Sequence, residues 1–248
     1  MSDAGPRGEP AKRDAVPHSV QNVHASGDGS VAIGVMNGGA VFHQAAAPAR
    51  SAAGRRIRIL MLAANPEPTA RLALDVEARE INEKLRLAQD RDGFDLITRW
   101  AVRPDDLLQG LNEHRPHIVH FSGHGTSAGE IMLAGAGGGQ QPVAAEALAA
   151  VFRATVDNVR VVVLNACYSA VQAEAIGRHV DCIVGMRAPI HDRSAAIFAA
   201  AFYSALGFGR SVRQAFDQGV AALMLNGMPD HDVPELVVRA GADADRPV

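Results

Sequence analysis

The sequence predicts an α/β protein with a largely parallel sheet and helices on both faces. Three observations carry this. From Arg55 onward, short apolar runs alternate with amphipathic stretches, which calls for crossover connections and hence parallel strands. Two of the runs, IRILMLAA from Ile57 to Ala64 and VRVVVL from Val159 to Leu164, have the apolar texture of buried strands apart from one arginine near the start of each. The composition, 48% hydrophobic and 21% charged, belongs to globular chains and excludes collagen-like, coiled-coil and wholly disordered ones.

The elements follow in order. Ile57 to Ala64 is a strand ended by Asn65-Pro66. A helix comes next, with Leu74, Ala78, Ile81, Leu85 and Ala88 on one stripe at helical spacing. Phe94 to Trp100 is a strand, Asp105 to Glu113 a short helix and His117 to Phe121 a strand. A helix is expected over Val143 to Ala154, then the strand ending at Leu164, and a helix over Tyr168 to His179. Cys182 to Met186 is a strand, followed by helices over Ser194 to Leu206 and Ser211 to Leu225. Ser211 has the N-cap chemistry for the second of these, and Val212, Phe216, Val220 and Leu223 share one stripe. A last strand is expected over Glu235 to Arg239.

Residues 1–54 differ in character. They hold eight Gly and four Pro, with Phe42 the sole aromatic, too little apolar surface to offset the entropy of ordering. Within them, Ser19 to Phe42 spaces Val and Ile between Gly, Asn and Ser in a strand–turn–strand rhythm. Ala45 to Gly54 reads as a tether. The expected organisation is a flexible region over 1–54, a globular domain over 55–240 and a tail over 241–248.

A net charge of −3 gives no basic footprint for nucleic acid or an anionic membrane. The apolar stretch Ala195 to Phe202 falls far short of the ~20 residues of a membrane span. The N-terminus has no secretion-signal segment, and two cysteines build no disulfide framework, so a reducing cytoplasm is expected.

Ligands of open α/β sheets sit beyond the carboxyl ends of the strands. After HIVHF comes Ser122-Gly123-His124-Gly125, and after VRVVVL comes Asn165-Ala166-Cys167-Tyr168-Ser169. If these two strands are neighbours, His124 and Cys167 emerge side by side, although they are 43 positions apart in sequence. A cysteine nucleophile needs a thiolate and a proton carrier. A helix starting near Tyr168 would favour negative charge at Cys167. The glycines around His124 let backbone approach a substrate, with the Gly125 N–H facing a developing oxyanion. Cys182, at the start of its strand, reads as core filling.

His114, His117, His120 and His124 suggest a metal, but His117 and His120 are three apart on a strand and face opposite sides. No CxxC or HExxH accompanies them, and neither a metal nor a cofactor is expected. The run Gly135 to Gly139 lacks a P-loop ending and GxGxxG spacing, and reads as a mobile loop beside the rim.

HFSGHG after one strand and VVVLNACYSA after a later one resemble the CHAT subgroup of caspase-like cysteine peptidases, related to caspases, metacaspases and separase. The stretch CIVGMRAPIHDRSAAIFAAAFYSALGFGRSVRQAF is similar to that family too, and the likeness covers roughly Ile57 to Leu225. It implies a caspase-like three-layer sandwich around a mostly parallel six-stranded sheet. It also implies a catalytic dyad of His124 and Cys167, an oxyanion hole from the Gly125 and Cys167 N–H groups, and a protein substrate. For specificity the family pattern favours an acid near Asp192 and a basic P1 residue. The competing role for Asp192 is capping the helix near Ser194. Asn165 is either pocket lining or a turn residue closing its strand. A catalytically silent interaction module is the alternative function.

Ser30-Val31-Ala32-Ile33-Gly34, with no proline from Ser19 to Phe42, has the alternation of stacked in-register strands. The segment resembles amyloid-signalling motifs found before bacterial effector domains, with a core similar to the receptor-interacting homotypic motif. That resemblance implies self-assembly, a STAND or NLR-like ATPase partner through residues 19–42, and an immune or cell-death effector. The competing reading is a Gly-rich leader with no partner.

Overall fold

The computed structural model describes residues 1, 31–36, 39–44, 56–155 and 158–248. The chain divides into two compact units, Met1–Gly54 and Arg55–Val248. In the first, β1 (Val31–Met36) pairs antiparallel with β2 (Gly39–Gln44), placing Ile33 opposite Phe42. The strand–turn–strand rhythm thus marks a hairpin. The rest of the expected assembly segment, 19–30 and 37–38, and the expected tether over 45–54 lie outside the described residues.

The second unit is a six-stranded sheet in the order β10-β9-β8-β5-β3-β4. Its strands are β3 (Ile57–Ala64), β4 (Phe94–Trp100), β5 (Ile118–Gly123), β8 (Val161–Asn165), β9 (Cys182–Met186) and β10 (Pro234–Val238). All neighbours are parallel except the edge pair β9–β10. Alternation along the strands splits the core in two. Ile59, Met61, Val161, Val163 and Val184 face one side, under α1 (Leu74–Arg86), α5 (Asp192–Gly207) and α6 (Val212–Leu225). Leu60, Leu62, Val119, Phe121, Val162 and Leu164 face the other, under α2 (Pro104–His114), α3 (Ala145–Thr155) and α4 (Ala170–Ile176). The result is the three-layer sandwich expected.

The predicted stripe of α1 is buried from Leu74 to Ala88, and Ser211 caps α6 with its hydroxyl accepting the Gln214 N–H. Three local expectations differ. The run Gly135 to Gly139 forms the turn of a hairpin between β6 (Glu130–Ala134) and β7 (Gln140–Ala144). This hairpin takes Val143 out of the expected helix, so α3 starts at Ala145. Pro142 in a polar β7 masked the strand, because proline withholds a ladder hydrogen bond. The helix after Cys167 is also shorter than expected and begins at Ala170, because Tyr168 is left-handed at φ 57° and cannot join it.

Candidate active site

Strands β5 and β8 are neighbours, with Ser122 paired to Asn165. His124 and Cys167 each lie two residues beyond that pair, so one rim carries both. They line a single cavity of about 40 Å³ with Leu72, Ala73, Glu77 and Asp192. Both are half-buried, whereas Cys182 is buried. Burial, with Asp181 nearby, pushes the Cys182 thiol up to about 11, which suits an inert core residue.

The backbones around these residues touch. A Cβ on Gly125 would fall 1.9 Å from the Cys167 carbonyl oxygen, and one on Gly123 would fall 2.6 Å from the Ala64 carbonyl oxygen. Only glycine lets the histidine loop lie against the cysteine turn. Among the described residues, no hydrogen bond uses the N–H of Gly125 or Cys167, which leaves both donors available to a ligand.

The imidazole is oriented from behind. Its Nε2 lies 2.8 Å from the Ala70 carbonyl and 3.0 Å from Asn65 Oδ1. A carbonyl only accepts, so Nε2 carries the proton and Nδ1 is the ring nitrogen with a free lone pair. The loop carrying the ring is fixed by β6, whose Met132 N–H donates to the His124 carbonyl at 3.0 Å. The hairpin that the sequence concealed thus supports the histidine.

On the cysteine side the chain makes a tight elbow. Ser169 is fully buried, its hydroxyl donating to the Leu164 carbonyl at 2.7 Å and accepting the Met186 N–H at 2.9 Å. The facing wall is the loop after β9. There the Tyr168 N–H donates to Ala188 and the Ile190 carbonyl lies 4.0 Å from Cys167 Sγ. A buried carboxylate pins this loop, since Asp230 Oδ2 takes the His191 N–H at 2.7 Å and the His191 ring at 2.9 Å. Burial raises the Asp230 pKa, but these bonds outweigh it and the group stays below the usual carboxylate value.

A CHAT domain model matches residues 30–232. The chain belongs to the CHAT domain family. Over 194 residues this CHAT domain is 24% identical to a Roc-COR-CHAT protease of an unknown prokaryotic organism, covering 73% of this chain and 18% of that protein. It is 22% identical over 172 residues to a probable protease of Gillisia limnaea, covering 68% of the chain and 30% of the relative. The chain therefore spans less than a third of the length of either relative. Caspase-1 from Spodoptera frugiperda superposes with a TM-score of 0.52 at 13% identity, over 75% of this chain and 86% of the caspase. A secreted C11 cysteine protease from Bacteroides thetaiotaomicron, solved with an irreversible peptide inhibitor, gives 0.49 at 12% identity, over 66% and 57%. The caspase likeness establishes a caspase-like fold for the CHAT domain.

The CHAT rim rests on a buried polar cluster that sequence reasoning missed. The Glu77 carboxylate accepts from His120 Nε2 at 2.9 Å, from Asn165 Nδ2 at 2.5 Å and from the Ser122 hydroxyl. His120 Nδ1 in turn meets the Tyr203 hydroxyl at 3.1 Å. Burial raises the Glu77 pKa, but its bonds with His120, Ser122 and Asn165 bring it below the ordinary value. Burial, with Glu77 alongside, drives the Tyr203 pKa well up. A signal was present, because Glu77 lies three residues after Leu74 and four before Ile81, on the apolar stripe itself. An acid there must find partners inside.

The two specificity candidates line the same cavity. Asn165 is buried and bonded to Glu77 and the Ala195 carbonyl, and among the described residues its Oδ1 has no partner. Asp192 opens α5, with His191 as the N-cap, and its Oδ2 accepts the Ala73 N–H at 3.4 Å. The histidines before His124 have separate partners. His117 Nδ1 accepts the Arg58 N–H while His120 points into the core. Among the described residues no group of three metal-ligating side chains gathers, and no helix is long and apolar enough to cross a membrane.

Proposed function

We propose that this CHAT domain is a cysteine endopeptidase with Cys167 as nucleophile and His124 as proton carrier. The observation that carries the reading is the close fit of Gly125 against Cys167, beside an imidazole whose Nε2 proton is held away from the cleft. Cys167 Sγ attacks the scissile carbonyl, and its proton passes to His124 Nδ1. The Gly125 and Cys167 N–H groups stabilise the oxyanion. His124 gives the proton to the leaving amine, and water then hydrolyses the thioester. The names of both curated relatives support a protein substrate.

Asp192 and Asn165 select a basic P1 side chain. Among the described residues no lysine or arginine lines the cavity, and Glu77, Asp192 and Asn165 Oδ1 are all acceptors. At about 40 Å³ the cavity holds a water or two but no arginine. A P1 guanidinium enters by taking Asp192 from the Ala73 N–H.

The region over 19–42 serves as an assembly element that pairs with a like segment on a STAND or NLR-like ATPase, making the chain a regulated immune or cell-death effector in the cytoplasm. The β1–β2 hairpin supports a strand-forming segment, and a relative that couples Roc-COR to a CHAT protease supports control by further domains. Proteome-wide cleavage-site mapping with wild type and Cys167→Ala tests the peptidase. Cleavages lost in the variant and clustered after Arg or Lys are expected, and equal cleavage by both proteins refutes it. A Ser19–Phe42 peptide that forms no cross-β fibres, alone or seeded, refutes the assembly role.

A further inference from the structure

A second and much larger cleft opens on the histidine side of the rim. It encloses about 590 Å³ between the loop after β3, the turn after β4 and the hairpin tip, with Asn65, Glu67, Arg103, Gly137 and Gly139 among its walls. Nothing in the reaction as described uses it.

Three features give it a direction. The sheet order places β3 and β4 beyond β5, away from the Cys167 strand, so the cleft continues the rim past His124. Asn65 belongs to both places, since its Oδ1 meets His124 Nε2 at 3.0 Å and its residue lines the cleft. The hairpin tip is bare, because among the described residues a Cβ on Gly137 or Gly139 would meet nothing within 4 Å. Bare glycine backbone lets an extended peptide lie close and exchange main-chain hydrogen bonds. Arg103 and Glu67 are exposed, and among the described residues neither takes part in an ion pair.

We propose that this cleft binds the substrate segment on the carboxyl side of the scissile bond, with Arg103 favouring an acidic side chain there. The assignment rests on the peptidase reading above. His124 protonates the leaving amine, so the leaving segment departs past the imidazole. The P1 cavity lies on the α1 and α5 side, and the cleft is the continuation on the far side of His124. Contacts to that segment orient the amide for attack without touching the cysteine.

The test compares two substrates with one acyl half. One ends after P1 in a coumarin amide, and the other continues for four residues, in versions with an acidic or a basic residue in that extension. Wild type should favour the extended peptide by at least about tenfold in kcat/KM. Gly137→Phe/Gly139→Phe should shrink that preference to about twofold, and Arg103→Glu should reverse the choice between acidic and basic extensions. Melting temperatures confirm that both variants are folded. No preference for the extended peptide in wild type, or a preference untouched by both variants, overturns the cleft assignment while leaving the peptidase intact. Turnover of neither substrate by wild type overturns the peptidase reading, and the cleft assignment with it.

Discussion

Replacing Gly125 with alanine puts a methyl carbon where the Cys167 carbonyl oxygen already sits. The new Cβ lies 1.9 Å from that oxygen and 2.9 Å from the carbonyl carbon, against a floor of 3.0 Å for real Cβ contacts. The two backbones must part by about 1.1 Å, the difference between the first and last of those distances. Neither swings freely, because Met132 holds the His124 carbonyl and the buried Ser169 hydroxyl braces the cysteine turn. The displacement therefore changes how the histidine and the cysteine face each other. A misplacement of about 1 Å in a catalytic constellation costs on the order of 10²-fold in rate, or about 2.7 kcal/mol of transition-state stabilisation. Overpacking costs about 1–3 kcal/mol of stability, within the ~5–15 kcal/mol a domain holds. The assay is kcat/KM on a fluorogenic peptide amide, with a melting temperature on the same preparation. The expected result is a loss of about 100-fold in a folded protein. A Gly125→Ala enzyme within threefold of wild type refutes the reasoning.

Three further outcomes are expected. Iodoacetamide at pH 7.5, followed by peptide mass mapping, should alkylate Cys167 and spare Cys182, whose thiol is pushed up to about 11 by burial; equal labelling would contradict the assignment. Glu77→Gln removes a buried charge with three donors aimed at it and should cost about 3–5 kcal/mol at neutral pH, read as a lower denaturant midpoint. Because the folded pKa of Glu77 lies below the ordinary 4.5, its contribution is present above pH 4.5 and fades as pH falls through the lowered value. The variant should thus lose less stability than wild type over that acid interval, and parallel losses would exclude Glu77 as the titrating group. Asp230→Ala frees His191 and the wall beside Cys167, removing charge-assisted bonds of about 1.5–3 kcal/mol each; a rise of about tenfold in KM exceeding any fall in kcat is expected, and an unchanged KM argues against the anchor.

The parts of the fold written in periodicity were legible in the sequence. Ile57 to Ala64, Phe94 to Trp100 and Cys182 to Met186 are strands with those bounds; in the first and third, burial on both faces leaves an apolar run that turn residues delimit, while the second is a half-exposed edge strand. The neighbouring of β5 and β8 was legible only as a condition, since no local pattern records strand order. What escaped depends on tertiary partners. The hairpin after His124 has one short apolar strand and one polar strand with Pro142, and pairing across the turn makes both of them strands. The left-handed Tyr168 is set by the Ser169 anchors and not by any preference of tyrosine. Ala70 contributes a backbone carbonyl to His124, and a side-chain motif cannot encode a carbonyl. Glu77 was visible as an acid on an apolar stripe, but its partners come from β5 and β8.

The anchoring of His191 by Asp230 has a consequence for synthesis. His124 leaves the ribosome 43 residues before Cys167, roughly 2–9 s earlier at about 5–20 residues per second. The loop facing the cysteine is not secured until Asp230 has emerged, 63 residues after Cys167, a further delay of roughly 3–13 s at the same rate. β10, which closes the sheet beside β9, follows directly. A nascent chain thus carries Cys167 for seconds before the loop facing it is anchored. On the peptidase reading, the order in which the residues are made delays a complete site until Asp230 has joined the chain.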